Sequence, residues 1–89
     1  MRLLTNLKAI YTRARLFQKA LAIVDRILLV MPDDLSEQRD RGALLAQLDR
    51  LPEAIWITQR YLQLAPRASD TEEVKDQLHL MQRRMAQLN

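Results

Sequence analysis

Few side chains in this sequence could perform catalysis or hold a metal ion. The chain contains one histidine, His79, and no cysteine. A serine–histidine pair would therefore depend on His79, and no loop suited to stabilising an oxyanion lies near it in the sequence. Asp76 precedes His79 by three residues, but two ligands on one helix do not make a metal site. We interpret His79 as a solvated or edge residue.

The acidic pairs have a simpler explanation than acid–base chemistry. Asp33-Asp34 and Glu72-Glu73 each stand where a helix is predicted to begin, and carboxylates are favoured there. A glycine-rich phosphate-binding loop is absent, since the chain has a single glycine. We therefore predict that the chain is not an enzyme, with no catalytic residue, no cofactor and no metal ion.

Composition favours one small helical domain. The chain has 89 residues, 48% of them hydrophobic, with one glycine and three prolines. Its 14 basic and 11 acidic residues give a net charge of +3, but both signs are mixed along every predicted helix. A nucleic-acid surface needs cations gathered on one face, so nucleic acid is not the expected partner.

Cysteine usage and the apolar runs bear on localisation. The absence of cysteine excludes disulfides and is compatible with a reducing cytoplasm. The N-terminal apolar run is broken by Thr5, Asn6 and Lys8, unlike a signal peptide, and the longest apolar run covers only residues 27–31. We expect a cytoplasmic protein with no membrane partner.

The chain is organised as two copies of one plan. Ala20 recurs as Ala54 and Pro32 as Pro66, each pair 34 positions apart. Apolar periodicity and the prolines predict five helices, over Arg2–Arg13, Phe17–Val30, Leu35–Leu48, Pro52–Leu64 and Asp70–Leu88. A 34-residue period of helix pairs is typical of a tetratricopeptide repeat, in which neighbouring pairs stack to bury their apolar faces.

Local signals within these helices lead to four further predictions. Asp33, Asp34 or Ser36 is expected to cap helix 3, and Ser69 or Asp70 to cap helix 5. Gly42, inside helix 3, predicts a close approach to helix 4, because an interior glycine otherwise costs about 1 kcal/mol. Trp56 has two interpretations, a binding hot spot or packing against helix 5, and packing is favoured.

The repeats resemble the tetratricopeptide family residue by residue. The matching positions of the first copy are Leu4, Leu7, Tyr11, Phe17, Ala20, Val24, Ile27 and Pro32, and those of the second are Gly42, Leu45, Leu51, Ala54 and Pro66. Departures occur at Lys8, Gln38, Arg41, Thr58 and Tyr61, and Ile27 is larger than the alanine that the family usually has there. The resemblance implies an all-α fold. It would be a short right-handed solenoid of two repeats, residues 1–34 and 35–68, followed by a capping helix, residues 69–89.

The resemblance also implies a binding surface. In this family the first helix of each repeat lines the concave face, which here would present Arg2, Thr5, Asn6, Ala9, Arg13, Arg39, Asp40, Ala43 and Gln47, with Thr12, Ser36, Glu73 and Gln77 beside them. Arg2, Arg13 and Arg39 predict a locally basic groove. The leading functional interpretation is a module that binds a peptide or a partner domain through this face.

A narrower resemblance provides an alternative. Residues 6–11, 39–42 and 60–66 resemble the C-terminal half of bacterial SirB-type proteins, in which it follows a transglutaminase-like half. The chain would then be a regulatory or structural part of such a protein. The uncapped start of helix 1 would be a cut, and the polar patch at residues 38–41 would face the other half. A third interpretation is a homodimerisation module, since helix 1 would expose apolar surface.

Overall fold

The computed structural model describes residues 2–88, which form five α-helices and no strand. Each helix begins and ends within one residue of its predicted bounds, and the all-α prediction is confirmed. The helices are α1 (Arg2–Arg13), α2 (Phe17–Val30), α3 (Leu35–Gln47), α4 (Leu51–Leu64) and α5 (Thr71–Gln87). The predicted start of repeat one at Met1 and end of the capping helix at Asn89 lie outside the described residues.

Each helix packs against the next one along the chain. The core is built from the facing sides of α2, α3, α4 and α5, and its buried members include Ala20, Leu21, Val24, Leu44, Leu45, Leu51, Ala54 and Met81. Helix α1 contributes no fully buried residue, because it packs mainly against α2 and no other helix within residues 2–88 covers its outer side. Its Leu3 and Ile10 are consequently exposed.

The repeat is visible in the backbone as well as in the sequence. Helix α4 begins and ends 34 residues after α2, and the two turns that precede them share one conformation. Arg15 and Asp49 both have a φ of 60°, and the N–H of the residue after each donates to a helix carbonyl 2.9 Å away. These bonds complete the Schellman motif that ends a helix. Neither turn has the glycine that this left-handed position favours, which costs about 1 kcal/mol at each.

The two predicted caps have different outcomes. The Asp34 carboxylate accepts a hydrogen bond of 3.1 Å from the Glu37 N–H and caps α3, as predicted. The prediction for α5 is wrong, because Asp70 stands at the cap position but makes no capping bond. Its carboxylate instead accepts from the Tyr61 hydroxyl and from Arg39, each at 2.7 Å. Both carboxylate oxygens of Asp70 are therefore bound by side chains of other helices and do not cap α5.

The polar first half of α3 is satisfied by partners inside the chain. The Gln38 amide donates to the Pro32 carbonyl at 2.7 Å, and Arg41 donates to Asp25 on α2 at 2.8 Å. Arg39 and Asp40 hydrogen-bond to each other, which completes the patch. A second domain is therefore not required to satisfy residues 38–41.

Helix α4 differs from prediction at its tryptophan. Leu51, Ala54, Thr58 and Tyr61 are the residues that α4 buries, and their spacing of three, four and three defines its inner face. Trp56 lies off this face with 60% of its surface exposed, so packing against helix 5 is wrong. The close approach predicted at Gly42 is confirmed. A Cβ atom there would stand 2.8 Å from Thr58 Oγ1 and 3.3 Å from Ile57 Cγ2, both on α4.

Candidate functional site

Clefts lie on both sides of helix α3 and together form a groove. One cleft separates α3 from α1 and is lined by Ala9, Thr12 and Arg13 with Asp40 and Ala43. Two more separate α3 from α5. Ala43 borders all three, so they form one continuous surface, which we call the α3 groove. The small side chains of Ala9 and Ala43, 34 residues apart, leave its centre open.

The structure brings together six of the nine residues predicted for the binding face. The six that line the α3 groove are Ala9, Arg13, Arg39, Asp40, Ala43 and Gln47, joined by Thr12, Glu73 and Gln77. Arg2, Thr5 and Asn6 are exposed on α1 but lie outside these clefts. Ser36 also lies outside them, and its hydroxyl donates to Asp34 at 2.7 Å. The groove is therefore centred nearer the C-terminal half of α1 than the sequence predicts.

Lys8 joins α1 to α3 at the edge of the groove. Its ammonium group donates to Glu37 at 2.7 Å and to Asp40 at 2.9 Å. Burial disfavours the charged form of Lys8, but these two hydrogen bonds outweigh it and raise the Lys8 pKa. The family prefers a small residue at this position. The only sequence signal for the role of Lys8 is the presence of the acidic residues Glu37 and Asp40 on α3.

Glu37 depends on this lysine. Only 7% of the Glu37 surface is exposed, and only one of its two carboxylate oxygens has a partner among residues 2–88. A buried carboxylate is costly unless it is paired, so Lys8 makes the burial of Glu37 tolerable. The pair fixes the distance between α1 and α3 and thus the width of the groove.

Arg39 belongs to a second cluster that joins α3, α4 and the start of α5. Burial disfavours its charge, but hydrogen bonds to Asp70 and Asp40 outweigh that cost and raise the Arg39 pKa. The hydrogen bond from Tyr61, followed by the one from Arg39, lowers the pKa of Asp70. The hydrogen bond that the Tyr61 hydroxyl donates to Asp70, together with burial, raises the pKa of Tyr61. Arg39 is therefore held by carboxylates of its own chain.

This cluster changes the expected electrostatics of the groove. Of the three arginines predicted to make it basic, Arg2 lies outside the clefts and Arg39 is neutralised by Asp40 and Asp70. Arg13 lines the groove and makes no ion pair with any residue from 2 to 88. Glu73 lines the α5 side. The expectation of a basic groove is thus wrong, and the surface is mixed in charge, with a free cation on its α1 wall.

Within the described chain, residues 2–88, acidic and histidine side chains do not gather into a group of three that could hold a metal ion. Over the same residues, no helix combines the length and the apolar character needed to cross a membrane. The chemistry that the α3 groove offers is hydrogen bonding, one unpaired cation and small apolar surfaces. That chemistry suits recognition of another chain.

Comparison with known proteins agrees with the architecture. A family model described as "Tetratricopeptide repeat" matches residues 7–79. The chain is also 34% identical over 77 residues to a UPF0162 protein of Xylella fastidiosa strain Temecula1, and equally to its counterpart in strain 9a5c. The alignments cover 86% of this chain but 27% of each relative, so the chain spans about a quarter of the length of the curated relatives it matches. No solved structure matches the chain.

The family match covers most of the sequence and the helix pairs that the structure contains. Proteins with such repeats generally mediate protein–protein interactions, and the fold is typically non-catalytic. On the matched residues and the observed helices together, the chain belongs to the tetratricopeptide repeat family.

Proposed function

We propose that the chain is a protein-interaction module that binds a peptide or a partner domain in the α3 groove. One observation carries the proposal: three adjoining clefts meet at Ala43, so the groove continues across α1, α3 and α5 without a bulky side chain at its centre. A preformed groove lowers the entropic cost of binding, because the protein does not reorganise.

The groove walls suggest how a partner is oriented. Arg13 on the α1 side is available to a carboxylate, since it has no partner among residues 2–88. Glu73 on the α5 side is exposed and suits a basic group. The side-chain amides of Gln47 and Gln77, which line the cleft between α3 and α5, offer both donors and acceptors to a peptide backbone. A partner that carries opposite charges at its two edges would satisfy both walls.

The proposal is tested by filling the groove at its centre. Ala43→Trp places an indole where the three clefts meet, whereas Ala86→Trp adds the same side chain at an exposed position on α5. Affinity capture from a bacterial lysate should recover a partner with the parent and with Ala86→Trp, and lose it with Ala43→Trp. Retention of the same partner by all three proteins would contradict the proposal. Circular dichroism verifies that each variant is helical.

Arg13→Glu is the complementary charge test. We choose Arg13 rather than Arg39, because Arg39 holds Asp40 and Asp70 in place and its loss would change the fold as well as the groove. Reversal at Arg13 should weaken capture by about tenfold if a carboxylate of the partner meets it. An unchanged affinity would show that the partner avoids the α1 wall.

A second candidate is supported by the length of the relatives. Since the chain spans 27% of each, the partner of the groove would be another part of the same polypeptide. This is the regulatory or structural role that the SirB-type resemblance implies, beside a transglutaminase-like region in a cytoplasmic protein. Sequencing the gene tests it. A transglutaminase-like region encoded upstream supports this candidate, and a reading frame confined to these residues contradicts it.

A third candidate, homodimerisation, is supported by the outer side of α1. Leu3 and Ile10 are 70% and 54% exposed and stand seven residues apart, on one face of the helix. Light scattering tests the candidate: a dimer that dissociates in the Leu3→Glu/Ile10→Glu variant supports it, and a parent that is monomeric at high concentration contradicts it.

A further inference from the structure

A second cleft lies between α2 and α4 and shares no residue with the α3 groove. Its volume is about 470 Å³, within the range of binding clefts. Its apolar lining comes from Leu28 and Leu29 of α2 and from Trp56 and Ile57 of α4. Its polar lining consists of Asp25 of α2, Gln38 and Arg41 of α3, and Arg60 of α4. We call this surface the α2–α4 cleft.

Two of the four apolar residues of this cleft are far more exposed than core residues are. Leu29 is 84% exposed and Trp56 is 60% exposed, and nothing in residues 2–88 covers them. Tryptophan and arginine are both among the residue types enriched where binding energy is concentrated at protein interfaces. Trp56 is also held in place, since the Arg60 guanidinium lies 5.5 Å from the centre of its ring. A preordered anchor loses little side-chain entropy on binding.

Charge identifies the kind of partner. Arg41 is paired with Asp25 at 2.8 Å, whereas Arg60 forms no ion pair with any of residues 2–88. The polar lining, with two arginines and one aspartate, therefore carries an excess of positive charge beside the apolar lining. A partner with a carboxylate next to its apolar side chains would complement it.

Symmetry argues against a second copy of this chain as the occupant. A twofold dimer brings the same patch of both molecules together, so two copies of a patch with an excess of positive charge would face each other. Like charges at a buried interface are unfavourable. A chain that carries a net charge of +3 would also gain nothing from long-range attraction to itself.

The shape of the site favours a helix. A groove between two neighbouring helices accepts the apolar stripe of a third, with anchors at positions i, i+3 or i+4, and i+7. From these observations we propose that the α2–α4 cleft is a second interaction surface, which binds an amphipathic helix whose apolar stripe is flanked by Asp or Glu. The module would then hold two partners at once, one on each surface.

The test is selection from a displayed library of helix-forming peptides, randomised on both the apolar stripe and its flanks. Selection is run on the parent, on Leu29→Glu and Arg60→Glu in the cleft, and on Leu88→Glu as a matched control. Leu88 is 72% exposed and outside the cleft, so all three variants add a carboxylate at an exposed position. We expect enriched peptides to carry two or three large apolar residues at helical spacing with acidic neighbours. They should lose at least about tenfold in affinity for both cleft variants and none for Leu88→Glu.

Trp56 provides an independent reading, because it is the only tryptophan in the chain. A peptide bound in the cleft should shift the fluorescence emission of Trp56 to shorter wavelength in the parent and in Leu88→Glu. The proposal is overturned if selection yields no peptide that discriminates the parent from Leu29→Glu, or if the enriched flanks are basic. A homodimer in solution that dissociates in Leu29→Glu would overturn it as well, since a second copy would then be the occupant.

Discussion

Replacing Gly42 by alanine tests the packing of α3 against α4. The added Cβ would lie 2.8 Å from Thr58 Oγ1 and 3.3 Å from Ile57 Cγ2, closer than side chains normally approach. Thr58 is 3% exposed and branched at Cβ, so it cannot rotate away easily. Relieving the overlap by moving the helices should cost about 1 to 3 kcal/mol. Alanine's better helix propensity returns about 1 kcal/mol of this.

We therefore expect Gly42→Ala to lower the free energy of unfolding by up to about 2 kcal/mol, measured by urea denaturation followed by circular dichroism. The control is the same change in a Thr58→Ala background, where the nearest atom is gone. There the gain in helix propensity is opposed only by the contact with Ile57 Cγ2, so the change should be neutral to stabilising, and the two substitutions should show an interaction energy of about 1 kcal/mol. A stabilising Gly42→Ala, or an equal cost in both backgrounds, would refute the reasoning.

Three more predictions follow from single residues. The lowered pKa of Asp70 means that its carboxylate contributes stability above the unfolded pKa of about 3.9 and loses it as the pH falls through the lower native value. Asp70→Asn should accordingly cost about 1 to 3 kcal/mol at neutral pH and less in acid, as urea midpoints at the two pH values would show. Arg15→Gly should raise the free energy of unfolding by about 0.5 to 1 kcal/mol, because Arg15 has a φ of 60°, and Arg15→Ala should not. Trp56 should be quenched by acrylamide in the native protein nearly as well as in urea, and a protected native tryptophan would contradict its exposure.

The helices were predictable because their signals are local. Pro32 and Pro66 mark where α2 and α4 end, and the 34-residue spacing relates the two copies without knowledge of any contact. Gly42 was also informative, since an interior glycine in a helix needs a packing reason. The family resemblance added the face of each helix that lines the groove.

What the sequence did not predict depends on contacts between distant positions. Asp70 reads as a cap from its neighbours alone, but Tyr61 and Arg39 take its oxygens from elsewhere in the fold. Lys8 stands where a small residue is expected, and only Glu37 and Asp40 across the interface explain it. Such pairings require the three-dimensional arrangement.

Trp56 could have been placed from the sequence with a stricter use of periodicity. Ala54, Thr58 and Tyr61 define the buried side of α4, and Trp56 falls two residues from both Ala54 and Thr58. The apolar neighbours Ile55 and Ile57, both half-buried, broaden the stripe and obscure this pattern. The size of the Trp56 side chain also favours a buried position, since a large aromatic residue is more often buried than exposed.

The most direct test of the proposed function is to map where a captured partner touches the protein. Backbone amide resonances of the isotopically labelled chain would be followed as the partner is added, with Ala43→Trp as the blocked control. If the α3 groove is the binding surface, the largest changes will fall on α1, α3 and α5 around Ala9, Ala43 and Gln77, and will disappear in the control. Changes confined to α2 and α4, or a footprint that survives in Ala43→Trp, would contradict it.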